Sequence, residues 1–579
     1  MRFSSGIRRR GLLFLLVFFF FGAVSTVYTL DNFPGDSSSG GGFPASGDSA
    51  VAERYAQWIK DAMDRGQWSE ALSALNRAAD FSDVSSDISY LLALVRSHEN
   101  KDRGSVLEAL NKALYVDRWN LYDSEAARLL KADTLISIRA YQQALAELSL
   151  VRKSPREAVL TLKALMSRPG EFRRYMTDTL DRYPRESGPV RVFFNYLSNE
   201  DAAGRNPERE DLQLLELVLR RLPALLLGDA ELAWMAAPFM RDSADARRVV
   251  SAYRAVNKPV PASLPIALKL GVIDEETALE ELFTAGEASQ APALVGASAD
   301  AAVSAGGESV LDITLLSDFW GLLRRDEARA IFKRNLSAYT GVIIEDADRD
   351  GIPETSAEYT GGLLNQYNYD ADQDGIADLT VYFTAGDPRR ALTLIPPDTS
   401  RDFFGVSGQT AVSSPRSTGS RAQADVQWEQ YPAVQEVDLD GVRYIPRPVN
   451  FYYSPLKFTE LWGSGVLFPQ RDLLSPPLTR RVLVSQSLRV ERPSLEFKGG
   501  TEVVELNQGI PVSAREYVGD RIVSETEFLR GRPLLQRVDL NLDGRMETVR
   551  HFRRSYRPAE LEDLWNYDRD IDYTSTVEE

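Results

Sequence analysis

The amino-acid sequence predicts a multidomain protein of α-then-β class, in which a solenoid of helical repeats precedes a mostly antiparallel β-meander. Three observations lead to this prediction. From about residue 51 to 283, apolar residues recur at three- and four-residue spacing, the period of an amphipathic helix. Beyond residue 339, short runs alternate apolar and polar residues between glycine-containing turns, which is typical of strands and hairpins. The chain has 579 residues, too many for one hydrophobic core.

The N-terminus has the composition of a targeting segment. The opening "MRFSSGIRRR" is basic, and residues 11–30 carry no charge, so residues 1–30 are predicted to be a signal peptide or an N-terminal membrane anchor. Positive charges flank only the N-terminal side of the apolar run, which favours export of everything that follows. We expect a periplasmic or cell-surface protein that contacts the membrane only through this segment, and only if it is not cleaved.

Shifts in composition divide the remaining chain. The predicted segments are a Gly/Ser/Pro linker (31–50), the helical domain (51–283), an Ala/Gly/Ser-rich linker (284–309), a helical connector (310–338), β-hairpins with acidic turns (339–404), a flexible loop (405–425), a β-meander (426–570) and an acidic tail (571–579).

A repeat with a period near thirty-five residues runs through the helical domain. Small and apolar residues recur in it at the same spacing: Ala71, Leu75 and Ala78, then Val106, Leu110 and Ala113, then Ala144, Leu148 and Val151. They resemble the second helix of a tetratricopeptide repeat, where small side chains let two helices approach closely. The first copy also matches that family at Gly66 and Trp68.

Two positions depart from the tetratricopeptide pattern, because Lys101 and Arg139 stand where that family places a glycine between helices. The resemblance implies a concave surface that binds a segment of another protein, here another envelope protein or peptide. The alternative is a helical stack whose small residues serve packing alone.

Two nearly identical acidic stretches follow, "DADRDGIPE" at 346–354 and "DADQDGIAD" at 370–378. Carboxylates so close together are unfavourable in a folded protein unless a cation or water screens them. Calcium takes roughly six to eight oxygens, and a loop of this pattern supplies side chains from its first, third, fifth and ninth positions and a carbonyl from its seventh. The predicted ligands are Asp346, Asp348, Asp350, Ile352 and Glu354 in the first turn, Asp370, Asp372, Asp374, Ile376 and Asp378 in the second, and Asp539, Asn541, Asp543, Arg545 and Glu547 in a third copy, "DLNLDGRME".

These turns resemble the calcium loops of EF-hands, dockerins and thrombospondin type 3 repeats. The twelfth position, where an EF-hand has glutamate, holds Ala357, Val381 and Arg550 in the three copies. The flanking residues 365–369 and 379–383 alternate and are rich in aromatic and β-branched side chains, which favours strands over helices. We therefore predict calcium-binding β-hairpins, and the alternative is a solvated Asp-Gly turn without an ion.

A second repeat marks the C-terminal part of the chain. The pairs Glu505-Leu506, Glu516-Tyr517 and Glu527-Phe528 recur every eleven residues, and each is followed by a glycine. Eleven residues suffice for one strand and one turn, so this spacing predicts a β-meander whose leucine or aromatic side chain faces inward.

Composition narrows the possible functions. The formal net charge is −17, which argues against a nucleic-acid partner. Cysteine is absent, and His98 and His551 are the only histidines, so thiolate nucleophiles, disulfides and histidine-rich metal sites are excluded or nearly so.

We therefore expect no catalytic residues, no enzyme activity and no cofactor other than calcium. The favoured function is an exported cell-envelope scaffold for protein–protein interaction. One alternative is a glycan- or surface-binding adhesin that uses Tyr367, Tyr369, Tyr382 and the run at 450–455 as stacking platforms. A second alternative is a carbohydrate-active enzyme that uses a pair of its carboxylates.

Overall fold

The computed structural model describes residues 46–98, 102–202, 204–257, 260–288, 310–347, 352–395, 422–447, 451–475, 478–494, 496–552 and 571–576. The predicted targeting segment, most of both predicted linkers and residues 405–421 of the predicted flexible loop lie outside these ranges. The chain forms two compact units. The first extends to Gly362 and also includes residues 370–376 and 462–464, and the second contains residues 363–369, 377–461 and 465–579.

Helices fill most of the first unit, as predicted. They are α1 (Ser46–Asp64), α2 (Trp68–Ala78), α3 (Ser86–His98), α4 (Arg103–Val116), α5 (Ser124–Ser137), α6 (Tyr141–Ser149), α7 (Pro155–Leu165), α8 (Pro169–Arg182), α9 (Ser187–Ala202), α10 (Arg209–Leu225), α11 (Leu232–Ala236), α12 (Ser243–Val256), α13 (Leu264–Lys269) and α14 (Glu275–Ala288). We call α1–α14 the helical array. It begins and ends about five residues outside the predicted limits of 51 and 283.

The residues of the thirty-five-residue repeat lie at contacts between helices. All nine of them are buried, and α1–α2, α3–α4 and α5–α6 pack as successive pairs. Buried apolar residues form one cluster for α1–α3, another for α3–α5 and another for α5–α7, before a larger cluster spans α7–α13. Each of the first three clusters joins only neighbouring helices, which is how a helical-repeat array is stabilised.

Side-chain caps explain where several helices begin. Asp102 accepts hydrogen bonds from the N–H groups of Gly104 and Ser105 at the start of α4. Asp123 does the same for α5, and Ser154 does so for α7, whose first residue is Pro155. These side chains satisfy N–H groups that have no partner within the helix.

The first unit continues into a small sheet. Strand β1 (Val310–Asp312) pairs in parallel with β2 (Gly341–Glu345), and β2 pairs antiparallel with β3 (Thr355–Thr360). Helices α15 (Ile313–Leu322) and α16 (Asp326–Ser337) connect β1 to β2. The predicted helical connector is therefore helical except at its first residues, which form β1.

The second unit is mostly antiparallel sheet, so the predicted fold class is confirmed. Its elements are β4 (Leu363–Tyr369), β5 (Leu379–Thr384), β6 (Asp387–Ile395), β7 (Ala422–Gln430), β8 (Ala433–Leu439), β9 (Val442–Pro446), β10 (Leu456–Glu460), β11 (Leu467–Arg471), α17 (Arg480–Gln486), β12 (Ser487–Pro493), β13 (Thr501–Asn507), β14 (Ile510–Val518), β15 (Arg521–Leu529), β16 (Arg532–Val538), β17 (Thr548–Phe552) and β18 (Ile571–Thr576). Strands β4 to β9 and β12 to β18 pair in chain order, with β9 beside β12, and β10–β11 form a separate hairpin.

The eleven-residue repeat forms the β13–β16 part of this meander. Two-residue turns join its strands, and at one of them Gly509 has φ +79° and lies so close to α17 that a Cβ atom would be 3.1 Å from Ser485 Cα. Each Glu–apolar pair of the repeat coincides with a register shift between strands. The expected inward side chain is buried only at Leu506. Tyr517 and Phe528 are half-buried.

Candidate metal centres in the acidic turns

All three acidic turns lie between strands, as predicted. The turn at 346–354 follows β2, the turn at 370–378 follows β4, and the turn at 539–547 follows β16. Each is a hairpin connection rather than a helix–loop–helix unit. We call them turn 1, turn 2 and turn 3.

Turn 2 brings three carboxylates together. Asp370, Asp372 and Asp374 each offer an oxygen atom, and these atoms lie within 4.8 Å of one another. Asp370 is fully buried, and its Oδ2 accepts a hydrogen bond from the Gly375 N–H at 2.9 Å. Gly375 has φ +87°, a conformation that glycine adopts without strain and that folds the chain back toward Asp370.

Further hydrogen bonds shape turn 2. The Asp374 Oδ1 accepts from the Ile376 N–H at 2.8 Å, and the Ile376 side chain is 41% exposed. The Asp378 carbonyl accepts from the N–H of Leu394, a residue of β6. The structure thus assembles the first, third and fifth positions of turn 2.

Turn 1 is described only at its two ends, because Asp348 and Asp350 lie outside the described residues. Asp346 and Glu354 are both buried. The Glu354 Oε2 accepts from the Ala347 N–H at 2.8 Å, and its Oε1 pairs with Arg139 Nη2 at 2.7 Å. Both carboxylate oxygens of Glu354 therefore have a partner within the protein, and its role as a calcium ligand stays a prediction.

Turns 1 and 2 are hydrogen-bonded to each other. The Asp370 N–H donates to the Glu354 carbonyl at 2.8 Å. The Gln373 Nε2 donates to the Ile352 carbonyl at 2.8 Å, so the carbonyl predicted as a ligand of turn 1 accepts a hydrogen bond from turn 2. Acidic side chains also influence one another here, because burial, together with Glu354 and Asp312, raises the pKa of Glu345.

Turn 3 forms a second carboxylate cluster with a different membership. One oxygen each of Asp539, Asp543 and Glu547 lies within 4.8 Å of the others. Asp539 is fully buried and accepts from the N–H groups of Asp543 at 3.1 Å and Gly544 at 2.7 Å.

Asn541 and Arg545, the other predicted residues of turn 3, take part in hydrogen bonds of the turn. The Asn541 Oδ1 accepts from the Asp543 N–H at 2.9 Å, and the Arg545 N–H donates to Asp543 Oδ1 at 2.8 Å. Both residues therefore shape the turn through hydrogen bonds. The carboxylates at the first, fifth and ninth positions of turn 3 converge.

Clusters of oxygen atoms at such spacing suit a hard cation. Carboxylate and carbonyl oxygens are the ligands that calcium prefers, and it accepts irregular geometry, whereas magnesium requires a nearly ideal octahedron and keeps several waters. Like charges held together also repel unless a cation lies between them. Turn 2 and turn 3 each supply three carboxylates for that purpose.

Sequence reasoning did not identify the arginines that contact turns 1 and 2. Arg139 pairs with Glu354, and the N–H of Arg103 donates to the Asp374 carbonyl at 2.7 Å. Arg139 had a signal in the sequence, since it stands where the tetratricopeptide pattern places a glycine. In the structure its φ is +58°. Arg103 had none, because its partner is 271 positions later in the chain (374 − 103).

The aromatic side chains considered for glycan stacking differ in their exposure to solvent. Tyr367 is fully buried and Tyr453 is 3% exposed. Tyr382 is 36% exposed with Arg390 over its ring, and Tyr452 is 54% exposed. Tyr367 and Tyr453 are therefore buried away from any ligand, whereas Tyr382 and Tyr452 are exposed, and the glycan-binding alternative stays a prediction.

The apolar segment at the N-terminus is not among the residues that the structure describes. Within the described ranges, no helix combines the length and apolar character needed to cross a membrane.

Comparisons with known proteins identify one relative without an assigned role. No family model matches the chain. It is similar to an uncharacterized protein of Treponema pallidum (strain Nichols), with 23% identity over an alignment of 584 residues. The alignment covers 87% of this chain and 72% of that protein. A solved chain from a functional characterization of Pseudomonas aeruginosa pilF aligns with 42% of this chain and 91% of its own length, at 16% identity and a TM-score of 0.25. A superposition of that quality supports no inference about function.

Proposed function

We propose that the protein is an exported, non-catalytic scaffold of the cell envelope, in which the helical array binds a segment of another protein and the acidic turns bind calcium. The observation that carries the proposal is the convergence of Asp370, Asp372 and Asp374 within 4.8 Å in a unit that is otherwise mainly helical. Export, which is part of the same proposal, would place the turns where calcium is usually abundant enough to fill weak sites.

Weak binding is expected from the donor set. Turn 2 contributes three carboxylates, yet Val381 occupies the twelfth position, where an EF-hand has a bidentate glutamate. Water or neighbouring groups must complete the shell. We therefore expect a dissociation constant of about 10⁻⁴ to 10⁻³ M, the range of extracellular calcium modules.

Protein binding is supported by the construction of the helical array. The apolar clusters of α1–α7 each join only neighbouring helices, so the outer surfaces of these helices are not required for a central core. Such arrays present extended surfaces along their length. A partner segment bound there would gain contacts with several helix pairs at once.

Calorimetric titration of the full chain with calcium chloride tests the ion assignment. The wild type should release or absorb heat with a saturating profile, and a variant carrying Asp372→Asn and Asp374→Asn should lose the turn 2 component. The matched control carries Asp178→Asn and Asp201→Asn, two exposed aspartates of the helical array, and should titrate like the wild type. The same loss in the control would contradict a site in turn 2.

Cross-linking with mass spectrometry tests the scaffold assignment. A lysine-reactive reagent applied to intact cells should join a partner to lysines of the helical array, such as Lys60, Lys112 and Lys163. The purified partner should then bind the purified full chain. A partner that cross-links only to residues beyond 363 would contradict the assignment of the array as the binding surface.

A further inference from the structure

A cavity of about 370 Å³ opens in the helical array between the α7–α8 connection and the start of α10. Its lining residues come from that connection, from α8, from the C-terminal end of α9 and from the residues that lead into α10. The volume lies near the lower end of the range of about 300–1,000 Å³ that is typical of ligand pockets. The cavity therefore has room for a single long side chain.

Arg173 forms the buried part of this cavity. Its side chain is only 10% exposed, and its Nε and Nη2 donate to the two carboxylate oxygens of Asp211 at 2.8 and 3.1 Å. Its Nη1 donates to Glu208 Oε2 at 2.8 Å. The hydrogen bond to Asp211 is the largest of the causes that raise the pKa of Arg173, although burial opposes the shift. The guanidinium is therefore charged, and carboxylates of this chain neutralise it.

Arg205 is neutralised in the same way. Its Nε and Nη2 donate to the two carboxylate oxygens of Glu200, both at 2.7 Å. The Glu200 side chain is 16% exposed, so this bidentate pair holds the guanidinium against a largely buried carboxylate. The charge that the cavity presents to a ligand is then decided by the remaining carboxylates.

The cavity and its rim carry more carboxylates than cations. Three carboxylates line the cavity together with the two arginines, and a fourth, Glu210, has its Oε2 3.8 Å from Arg173 Nη1. The side chains of Glu208 and Glu210 are 65% and 70% exposed. The surplus negative charge therefore faces solvent, where a positively charged group can reach it.

Apolar surface beside these carboxylates suits the stem of a basic side chain. Met166 and Pro169 line the cavity and are half-buried. Lysine and arginine pack their methylene stems along apolar surface while the charged head stays at a polar group, and methionine adapts its shape to what it contacts. The exposed side chains of Ser167 and Asn206 also line the cavity and add hydrogen-bonding groups.

We propose that this cavity binds a lysine or arginine side chain of the partner segment, with its stem over Met166 and Pro169 and its charged head at Glu208 and Glu210. The inference rests on the proposed scaffold function, because it specifies the chemistry of the segment that the helical array recognises. An extended segment can place one side chain here while its other residues run along neighbouring helices. The net charge of −17 also attracts a basic segment before contact.

Saturation-transfer NMR of short peptides with the full chain tests this preference, because the method suits the weak binding expected of one side chain. The probes share the capped sequence Gly-Ser-X-Ser-Gly, in which X is lysine, arginine, glutamine, norleucine or glutamate, and a calcium chelator is present throughout. The lysine and arginine peptides should bind about fivefold or more tightly than the glutamine and norleucine peptides. Added salt should reduce this preference, since it screens exposed charges. Equal affinities for the lysine, glutamine and glutamate peptides would overturn the proposal.

A charge variant locates the binding. The double change Glu208→Gln, Glu210→Gln removes the surplus charge and keeps side chains that accept hydrogen bonds. Its affinity for the lysine peptide should fall about three- to tenfold, as expected for two exposed ion pairs, and its affinity for the glutamine peptide should not change. The matched control Glu108→Gln, Glu327→Gln removes the same charge from exposed sites outside the cavity and should bind like the wild type. An equal loss in both variants would reveal a general charge effect and rule out this site.

A steric variant tests the same location without a change of charge. Ser167→Tyr places a large side chain at the cavity and should weaken binding of the lysine peptide. Ser73→Tyr, on the exposed face of α2, should leave it unchanged. Circular dichroism checks that the variants are folded, and lysine binding that is the same in both would contradict binding in the cavity.

The partner found by cross-linking separates this inference from the scaffold function. A partner that cross-links to the helical array and binds the Glu208→Gln, Glu210→Gln variant as tightly as the wild type would overturn this inference and leave the scaffold function standing. A partner that cross-links only beyond residue 363 would overturn the scaffold role of the array, whereas a lysine preference that is lost in the charge variant would still support a basic-side-chain site in the cavity.

Discussion

Arg139 combines an unfavourable backbone with a favourable ion pair, and the two can be separated by mutation. Arg139→Gly should relieve about 1 kcal/mol of backbone strain at φ +58° and at the same time leave Glu354 without its cation. In the wild-type background these effects should largely cancel. In a Glu354→Gln background, where no charge is left unpaired, the same change should stabilise the protein. Equal changes in the free energy of unfolding in both backgrounds would show that the pair contributes nothing.

Asp87 organises the connection between α4 and α5. Its carboxylate is 1% exposed and accepts from the N–H groups of Asn120, Leu121 and Tyr122 at 2.8, 3.1 and 3.1 Å. Asp87→Ala should leave those donors unpaired and destabilise the protein by about 2–4 kcal/mol. The control Asp83→Ala removes an exposed aspartate paired with Lys112 and should cost less than about 1 kcal/mol. Chemical denaturation of the two variants measures the difference, and equal costs would contradict this role for Asp87.

At the scale of elements, Glu147 of α6 forms ion pairs with Arg128 and Lys131 of α5. These ion pairs make the contact between the two helices dependent on pH. Although burial opposes the shift, hydrogen bonds and charges from Lys131 and Arg128 lower the pKa of Glu147. A group whose pKa is lower in the folded state adds stability above its unfolded pKa and loses that contribution as the pH falls through its folded value. Glu147→Gln should therefore destabilise the protein at neutral pH, and the difference should disappear in acid. A difference that stays constant down to pH values below the folded pKa would contradict it.

The close helix contacts of the array are a second element-scale feature. Ala71 and Ala113 are fully buried, so Ala71→Arg or Ala113→Arg forces a long charged side chain between packed helices. Each change should destabilise the protein by roughly 3 kcal/mol or more. Ser73→Arg, on the exposed face of α2, should leave helicity and melting nearly unchanged. Circular dichroism of the three variants checks this, and unaffected melting of both alanine variants would refute the repeat packing.

Elements were predictable where the signal is local in sequence. The three- and four-residue spacing around Ala71 and Ala113 marks helices, and the alternation at 379–383 marks a strand, because burial of one face imposes those periods. The strands around the acidic turns followed from the same reasoning. Their contacts with Arg103 and Arg139 did not, since an ion pair between positions 215 apart leaves no periodic trace in a single sequence.

At the scale of the whole molecule, an ion pair and a backbone hydrogen bond link two parts of the first unit. The helical array supplies the Arg139 side chain and the Arg103 N–H, and the acidic turns supply the Glu354 carboxylate and the Asp374 carbonyl. Sequence alone indicated the carboxylates, because their spacing is compact and repeated. It could not assign which of them converge, since that depends on turn conformations such as the positive φ of Gln373 and Gly375.

The most direct measurement of the central claim is the melting temperature of the full chain as a function of calcium concentration. An ion that binds only the folded state raises the melting temperature in proportion to the logarithm of its concentration above the dissociation constant. We expect this rise with calcium, a much smaller one with magnesium, and a clearly reduced rise in the variant carrying Asp370→Asn and Asp374→Asn. A melting temperature that is unchanged by calcium up to millimolar concentration, or that rises equally in that variant, would contradict calcium binding by turn 2.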